Sequence, residues 1–485
     1  VSGMTAAIYL KLAGADVRVY ERAANVGGVS AGWDRKGFHF EGGIHWMIGT
    51  NPKRVLHDVW REIGALTDDN PVIFRDPMYT LITDHGEICL YRNIDKMMAE
   101  FRRVAPEDER AIARLERDVR TFMAFNNMIK TPRGLRTKSP VGTTQEQRKA
   151  MLPGLLKVPR LAWQSVRDYL SDIKNEDLKN LLLSVICPEH NALAFCYVLG
   201  AFADGDGGYP RGGASKVGEN LKHRFLELGG ELMLHMPVER VAVVDGQARG
   251  VLVNGKVDEA DEVLITIDTR RAIDTLFERP LHEKWTPALK HGIPTEQVMM
   301  LSIGVKTDLN HYPGSMRWVL DEPIVAGGVE YKILPVDNYS QITEYSPEGC
   351  SSMTVMMIGN TYAYWKAAKE DGSYVEKKCE VIEQVVGRLE KLMPEIVGKV
   401  VVTDLATPMT FVRYCDTYEG SFMSIWKRRS MPNHVPVRAE SVEHLYFAGQ
   451  RTMLNGGLPV AAMTGRRAAQ EICMTHDLMW CDRLY

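Results

Sequence analysis

Gly3 and Glu21 stand eighteen positions apart, a spacing that suits recognition of a dinucleotide. Val1, Ser2 and Gly3 read as the last three positions of a G-x-G-x-x-G turn. The first strand of that unit and its first two glycines are expected to precede residue 1. A helix-forming run continues from Met4 to Ala13 and stops at Gly14; Asp16 to Tyr20 then alternates Val17 and Val19 as a strand would. A helix starting at Gly3 turns free backbone N–H groups and a positive dipole end toward a pyrophosphate. Glu21, at the strand end, can accept from both ribose hydroxyls and would repel a 2′-phosphate, which argues against NADP. Gly27-Gly28 follows as a tight turn where backbone must pass close to a cofactor. A lone glycine in a first helical turn also serves close packing, so the reading rests on Gly3 together with Glu21.

Several elements must position these residues. Ala31 to Phe40 reads as a hairpin turning at Asp34–Gly37, followed by Glu41-Gly-Gly43 and His45-Trp46. Pro52 to Gly64 reads as a helix with Asn51 as N-cap. Tyr79–Thr83 and Glu87–Tyr91 read as strands around an Asp84-His85-Gly86 turn. Residues 94 to 200 are mostly helical in pattern and break the αβ alternation. Helix Ser215–Leu228, strand Glu231–Met236 and a hairpin array turning at Asp245-Gly246 and Asn254-Gly255 resume it. Near the end, a strand at Leu445 leads through Gly449 and Gly456-Gly457 into helix Val460–Ile472, with Pro459 suited to its first turn.

With 485 residues the chain can build two or three domains around a large core, and its net charge of −3 favours no nucleic acid. No apolar run reaches the roughly 18 residues of a membrane-spanning helix. The eight cysteines include no C-x-x-C pair, which suits reduced thiols in a cytoplasmic protein. Cys187 and His190 could supply two metal ligands, but no second pair accompanies them, and no metal site is read here.

Four blocks in this order and spacing resemble the FAD-dependent amine oxidase and phytoene desaturase superfamily. They are the opening turn with Glu21 and Gly27-Gly28; Gly37-Phe-His-Phe-Glu-Gly42; Gly208-Tyr-Pro-Arg-Gly-Gly213 through Val238-Glu-Arg-Val241; and Leu445-Tyr-Phe-Ala-Gly449 through Gly456-Gly-Leu-Pro459. A fifth, Thr407–Tyr414 with Tyr418-Glu-Gly420, is similar to the branch of phytoene desaturases, carotenoid isomerases and retinol saturases. The resemblance implies an α/β fold: a discontinuous Rossmann-like FAD-binding domain (1–70, 205–275 and 400–475) with an inserted α+β substrate domain (71–204 and 276–399). It implies that Gly3 faces the pyrophosphate, Glu21 and Arg22 the adenosine side, and Gly27-Gly28 the pyrophosphate and flavin side. Val238 would meet the adenine, and Gly449, Gly457 and Leu458 the flavin ring and ribityl chain.

The same resemblance implies hydride transfer between a substrate carbon and flavin N5 on a long apolar, carotenoid- or lipid-like substrate. His45, Arg413, Tyr414 and Tyr418 are the candidates on the substrate side. A neutral His45 imidazole can relay a proton near pH 7, or it can be a packed histidine bonded to backbone beside Trp46. Tyr414 and Tyr418 suit channel walls; Arg413 suits a substrate carboxylate or a pairing with Asp416 or Glu419. Residues 130 to 167 carry nine Lys or Arg against the single acid Glu146, interleaved with leucines and Trp163. That composition fits either a solvated helical face or peripheral contact with an anionic membrane. The alternatives are an amine oxidase, an FAD-requiring isomerase or hydratase without net redox turnover, and a lipid-binding chaperone. No separate NAD(P) site is visible, so the external electron partner stays open.

Overall fold

The computed structural model describes residues 1–125, 143–427, 435–453 and 456–478. Helix Ser2–Leu12 is followed by Gly14 at φ +89° and by strand Arg18–Tyr20, which runs parallel to Glu231–Met233. A second parallel pair joins Val263–Ile265 to Leu445–Phe447. The first helix packs against the last, Gly457–Thr475, so closely that a Cβ on Gly465 would lie 2.3 Å from the Ser2 carbonyl oxygen. Only glycine permits that approach.

Beside these pairs lies a meander of Arg240–Val244, Gln247–Val253 and Lys256–Glu259. Its turns fall at Asp245-Gly246 and Asn254-Gly255, all four residues at positive φ, as two-residue turns matched to strand twist require. The hairpin near residue 35 pairs Gly32–Arg35 with Phe38–Glu41.

A seven-stranded sheet forms the second layer, in the order Val400–Ala406, Val298–Val305, Ser351–Ile358, Val329–Asn338, Ser315–Ala326, Tyr79–Thr83, Gly86–Leu90. It is antiparallel except where Ser315–Ala326 runs parallel to Tyr79–Thr83. Val298–Val305 is buried at every residue, because it is paired on both sides and covered on both faces. Helix Tyr374–Leu392 covers one face through Val381, Val385 and Leu389, and the hairpin packs Phe38 and Phe40 against Val402. Strand Val400–Ala406 is an edge strand of this sheet, paired with Val298–Val305, although its sequence position had grouped it with the nucleotide-binding segments.

The helical layer contains Glu109–Met123, Gln145–Ala162, Glu176–Leu183 and Ala192–Ala203. The last is apolar all round and almost wholly buried, as such a helix must be. Several boundaries differ from the sequence reading, two of them instructively. The helix expected from Pro52 spans Val55–Glu62, because the Asn51 side chain accepts from Lys53 N–H and closes a separate turn first. The final helix begins at Gly457 rather than Val460. Among the described residues no helix is long and apolar enough to cross a membrane.

Candidate cofactor and substrate cavity

A cavity of about 2290 Å³ runs from the end of strand Arg18–Tyr20 past both glycine turns and on between the sheet and the helical layer. That exceeds the roughly 300–1,000 Å³ of a drug-sized ligand pocket and leaves room for an extended dinucleotide and a second molecule. Gly3, Glu21, Arg22, Gly27, Gly28 and Val238 line one end. The Glu21 backbone N–H donates to Met233, and its Oε1 accepts from Ala23 N–H, which fixes the carboxylate at the strand end. Arg22 reaches across to the Arg413 carbonyl at 2.7 Å and to Asp416 at 3.6 Å.

Gly28 sits at φ +66°, and a Cβ there would meet no protein atom within 4 Å. It faces the open cavity, as a turn passing under a bound group should. Gly449, Gly457 and Leu458 line the wall beyond it. The Gly449 N–H donates to Thr464 Oγ1, and the Gly457 N–H donates to Gln450 Oε1. Neither helix Ser2–Leu12 nor helix Gly457–Thr475 has a side-chain N-cap. Both starts line the cavity, so their positive ends are available to an anionic or electron-rich group. Glycine cradle, helix starts and acceptor carboxylate together fit FAD.

Beneath this wall a buried ion pair, Arg451–Asp268 at 2.8 Å, locks the loop after Gly449 to the strand Val263–Ile265. Asp268 Oδ1 also caps Arg270 and Arg271 N–H, and Oδ2 accepts from Tyr418 N–H. The sequence reading placed Asp268 only as a strand end and passed over Arg451.

His45 lines the cavity. Its Nδ1 lies 3.0 Å from Asp337 Oδ2 and 3.4 Å from the Tyr339 hydroxyl, and its Nε2 is buried without a hydrogen-bond partner. Burial alone would push the Asp337 carboxyl up, but the His45 hydrogen bond and the Arg317 and Arg75 charges hold it well below the usual range. Ser315 Oγ donates to the same carboxylate. The partner of His45 is thus a charged side chain and not backbone, and Trp46 is engaged elsewhere, donating to Tyr79. Buried Glu41 sets the approach to His45. Its Oε1 accepts from Gly43 and Ile44 N–H, and its Oε2 accepts from the Tyr209 hydroxyl and Ala214 N–H.

Arg413 and Tyr414 line the cavity, with the guanidinium 5.1 Å from the ring centre and Tyr414 54% exposed. The acids suggested for Arg413 are engaged elsewhere: Asp416 with Arg22 and Arg271, Glu419 with the Tyr418 hydroxyl. Tyr418 is not among the lining residues. Arg270 stacks 3.5 Å from its ring centre, so its aromatic face is occupied by a cation rather than offered to a channel.

A cluster that the sequence reading did not assemble lies further along the wall. Glu296, on the short strand Thr295–Glu296 paired with Met423–Ser424, is buried in the lining, with His190 Nε2 3.7 Å from its Oε2. Burial pushes the Glu296 carboxyl up to about 7, against the pull of its neighbour Cys187. Burial pushes His190 down to about 4 and Cys187 up to about 12. The Cys187–His190 spacing was the one sequence signal here, weighed as a pair of metal ligands and set aside for want of a second pair. Among the described residues no group of three or more His, Cys, Asp or Glu is arranged to hold a metal ion.

The family of flavin containing amine oxidoreductases matches residues 1–473. A lycopene-forming phytoene desaturase of Pseudescherichia vulneris is 24% identical over 98% of this chain and 97% of its own. An all-trans-retinol 13,14-reductase of Danio rerio is 23% identical over 99% of this chain and 85% of its own. The solved structure of an oxidoreductase from Methanosarcina mazei shares the fold, with a TM-score of 0.60, 16% identity, and coverage of 96% of this chain and 97% of that one. The chain belongs to the flavin containing amine oxidoreductase family and is an FAD-dependent oxidoreductase.

Proposed function

We propose that the protein desaturates or saturates a carbon–carbon bond of a long apolar, isoprenoid- or carotenoid-like substrate, by hydride transfer to or from the flavin. The observation that carries this is the continuation of the cavity beyond the glycine turns between apolar walls. Leu183, Val185, Leu193 and Tyr197 line it, and it reaches Phe125 and Val158 of the helix layer. The names of the desaturase and retinol reductase relatives agree with such a substrate.

In this reading Gly3, Gly27 and Gly28 cradle the pyrophosphate, Glu21 and Arg22 the adenosine end, and Val238 the adenine. Gly449, Gly457 and Leu458 hold the ring end. The segments 1–70, 205–275 and 400–475 form the FAD side, less the strand Val400–Ala406. Bound FAD supplies a hydride acceptor or donor. The chain's own part begins with His45: Asp337 accepts from Nδ1–H, which leaves the Nε2 lone pair to take a proton from substrate, or to return one. Leu193 and Tyr197 exclude water around it, and Arg413 and Tyr414 form the outer wall.

Substrate entry from a membrane surface is part of the proposal. Helix Gln145–Ala162 carries Val158 into the cavity wall and exposes Leu152, Leu155 and Leu156, with Trp163 just beyond it. Exposed Arg148 and Lys149 flank this face. Lys157 and Arg160 pair with Asp118, and Arg167 with Glu189, so these three are bound within the protein. Lys130, Arg133, Arg136 and Lys138 lie outside the described residues.

Amine oxidation is the second reading, supported by the name of the family that matches the chain. The test is anaerobic incubation of the FAD-loaded protein with a polyene, its saturated counterpart, or putrescine. Stoichiometric flavin bleaching by one saturated carbon chain supports desaturation, and bleaching by putrescine alone overturns it. Isomerised polyene with flavin left oxidised overturns the redox assignment.

A further inference from the structure

The buried pair Glu296 and His190 has a polarity that the apolar cavity does not need and that the proposed proton step at His45 does not use. Its geometry is specific. Trp426 N–H donates to His190 Nδ1 at 3.1 Å, so the neutral ring carries its proton on Nε2. That N–H is a donor on the Glu296 side, but Glu296 Oε2 lies 3.7 Å away, beyond direct hydrogen-bond length. Oε2 is buried and has no hydrogen-bond partner. A donor and an acceptor therefore face one gap on the cavity wall, with the Cys187 thiol as the carboxyl's other close neighbour.

A buried, unpaired carboxyl oxygen is costly, the more so if charged, so a guest that completes the site is stabilised there. The guest must accept one hydrogen bond and donate one. A hydroxyl does both. An ammonium has no lone pair for the Nε2–H, and a hydrocarbon offers nothing to either group. Burial holds His190 neutral and raises the Glu296 carboxyl, which also suits an uncharged guest.

The location ties the gap to the reacting end of the cavity. Phe422 N–H donates to the Glu296 carbonyl, Gln450 Nε2 donates to the Phe422 carbonyl, and Gln450 Oε1 accepts from Gly457 N–H. Three hydrogen bonds thus connect Glu296 to the start of the last helix. We propose that the gap between Glu296 Oε2 and His190 Nε2 is a hydroxyl-binding subsite, and that the substrate is a long apolar alcohol rather than a plain hydrocarbon. This rests on the apolar-substrate reading of the cavity.

The experiment measures binding of geranylgeraniol, the hydrocarbon lacking its hydroxyl, and geranylgeranylamine to the FAD-loaded protein in one detergent, by displacement of a fluorescent polyene. Two hydrogen bonds predict a preference for alcohol over hydrocarbon of about ten- to a hundredfold. Glu296→Leu should bring the ratio near one, and Glu296→Gln, which keeps an acceptor oxygen, should retain part of it. Equal binding of alcohol and hydrocarbon by the parent overturns the subsite and leaves the apolar reading standing. Tighter binding of the amine overturns it in favour of amine chemistry. Binding of none of the three overturns both readings. A ratio unchanged in Glu296→Leu overturns the assignment to this pair; if that variant fails to fold, the parent ratio and Glu296→Gln decide.

Discussion

Asp337 Oδ2 lies 3.0 Å from His45 Nδ1, and the two residues reach that contact from different layers. Asp337 lies next to the end of a strand of the seven-stranded sheet, while His45 follows the Gly43–Ile44 turn that Glu41 clamps after the hairpin. In the neutral ring this pairing places the proton on Nδ1 and leaves the lone pair on Nε2.

Asp337→Asn should therefore retain FAD, with an unchanged flavin spectrum, and lose turnover by about 10²–10⁴-fold, the usual contribution of a positioned acid or base. Single-turnover flavin reduction measures it. The carboxyl is held below its ordinary range, so its stabilisation is full above the unfolded pKa and is lost as pH falls. Relative to the parent, Asp337→Asn should melt with a shallower loss of stability on the acid side. Parent-like turnover would remove His45 from the chemistry.

Gly28→Val places a branched side chain at φ +66° and projects it into the cavity. Purified protein should carry little flavin, read as the ratio of flavin to protein absorbance. Glu21→Ala should lower occupancy less, because it removes ribose contacts and adds no obstacle. Full occupancy in Gly28→Val would place the cofactor elsewhere.

Glu296 and His190 make opposite contributions to the pH dependence of stability. Between its ordinary value of 4.5 and about 7, folded Glu296 holds a proton that the unfolded chain releases, so stability falls as pH rises. Between about 4 and its ordinary 6.5, unfolded His190 binds a proton that the folded chain excludes, so stability rises with pH. In the parent the two offset each other over the shared window. In Glu296→Gln only the His190 effect remains, and thermal melts should show stability climbing with pH from about 4 to 6.5 relative to the parent. A parallel pair of curves would disprove the compensation.

Liposomes containing anionic lipid should retain the protein through the face of helix Gln145–Ala162. Leu156→Glu combined with Trp163→Glu should abolish co-flotation without changing FAD content. Arg148→Glu with Lys149→Glu should weaken it in a salt-dependent way. Unchanged flotation of both double variants would rule out this route of entry.

The parts of the molecule legible from sequence are those set by local backbone chemistry. Gly27-Gly28, Asp245-Gly246, Asn254-Gly255 and Gly456-Gly457 announce turns because few residues tolerate positive φ. The alternating Val17 and Val19 and the acid after them likewise belong to one short stretch. What escaped were the buried carboxylates. Glu41, Asp206, Asp268, Glu296 and Asp337 look like any surface acid in a sequence, and all but Glu296 are explained by partners distant in the chain: Tyr209 for Glu41, Arg451 for Asp268, His45 for Asp337. Asp206 closes a loop by accepting from Gly49, Thr50 and Asn51 N–H. Tyr418 erred the other way: it lies in a recognisable block, but only three dimensions reveal that Arg270 occupies its ring.

The packing of Gly465 against the Ser2 carbonyl has a consequence for how the protein is made. The cavity wall needs two segments far apart in the sequence, since Val1–Met4 and Gly456–Ala461 both line it and their helices pack together. A nascent chain still lacking its final helix has an unfinished nucleotide cradle, however well its sheet has folded. Flavin capture must then wait until helix Gly457–Thr475 has been made and has packed on helix Ser2–Leu12. Stalled chains ending before Gly457 should emerge colourless beside yellow released ones.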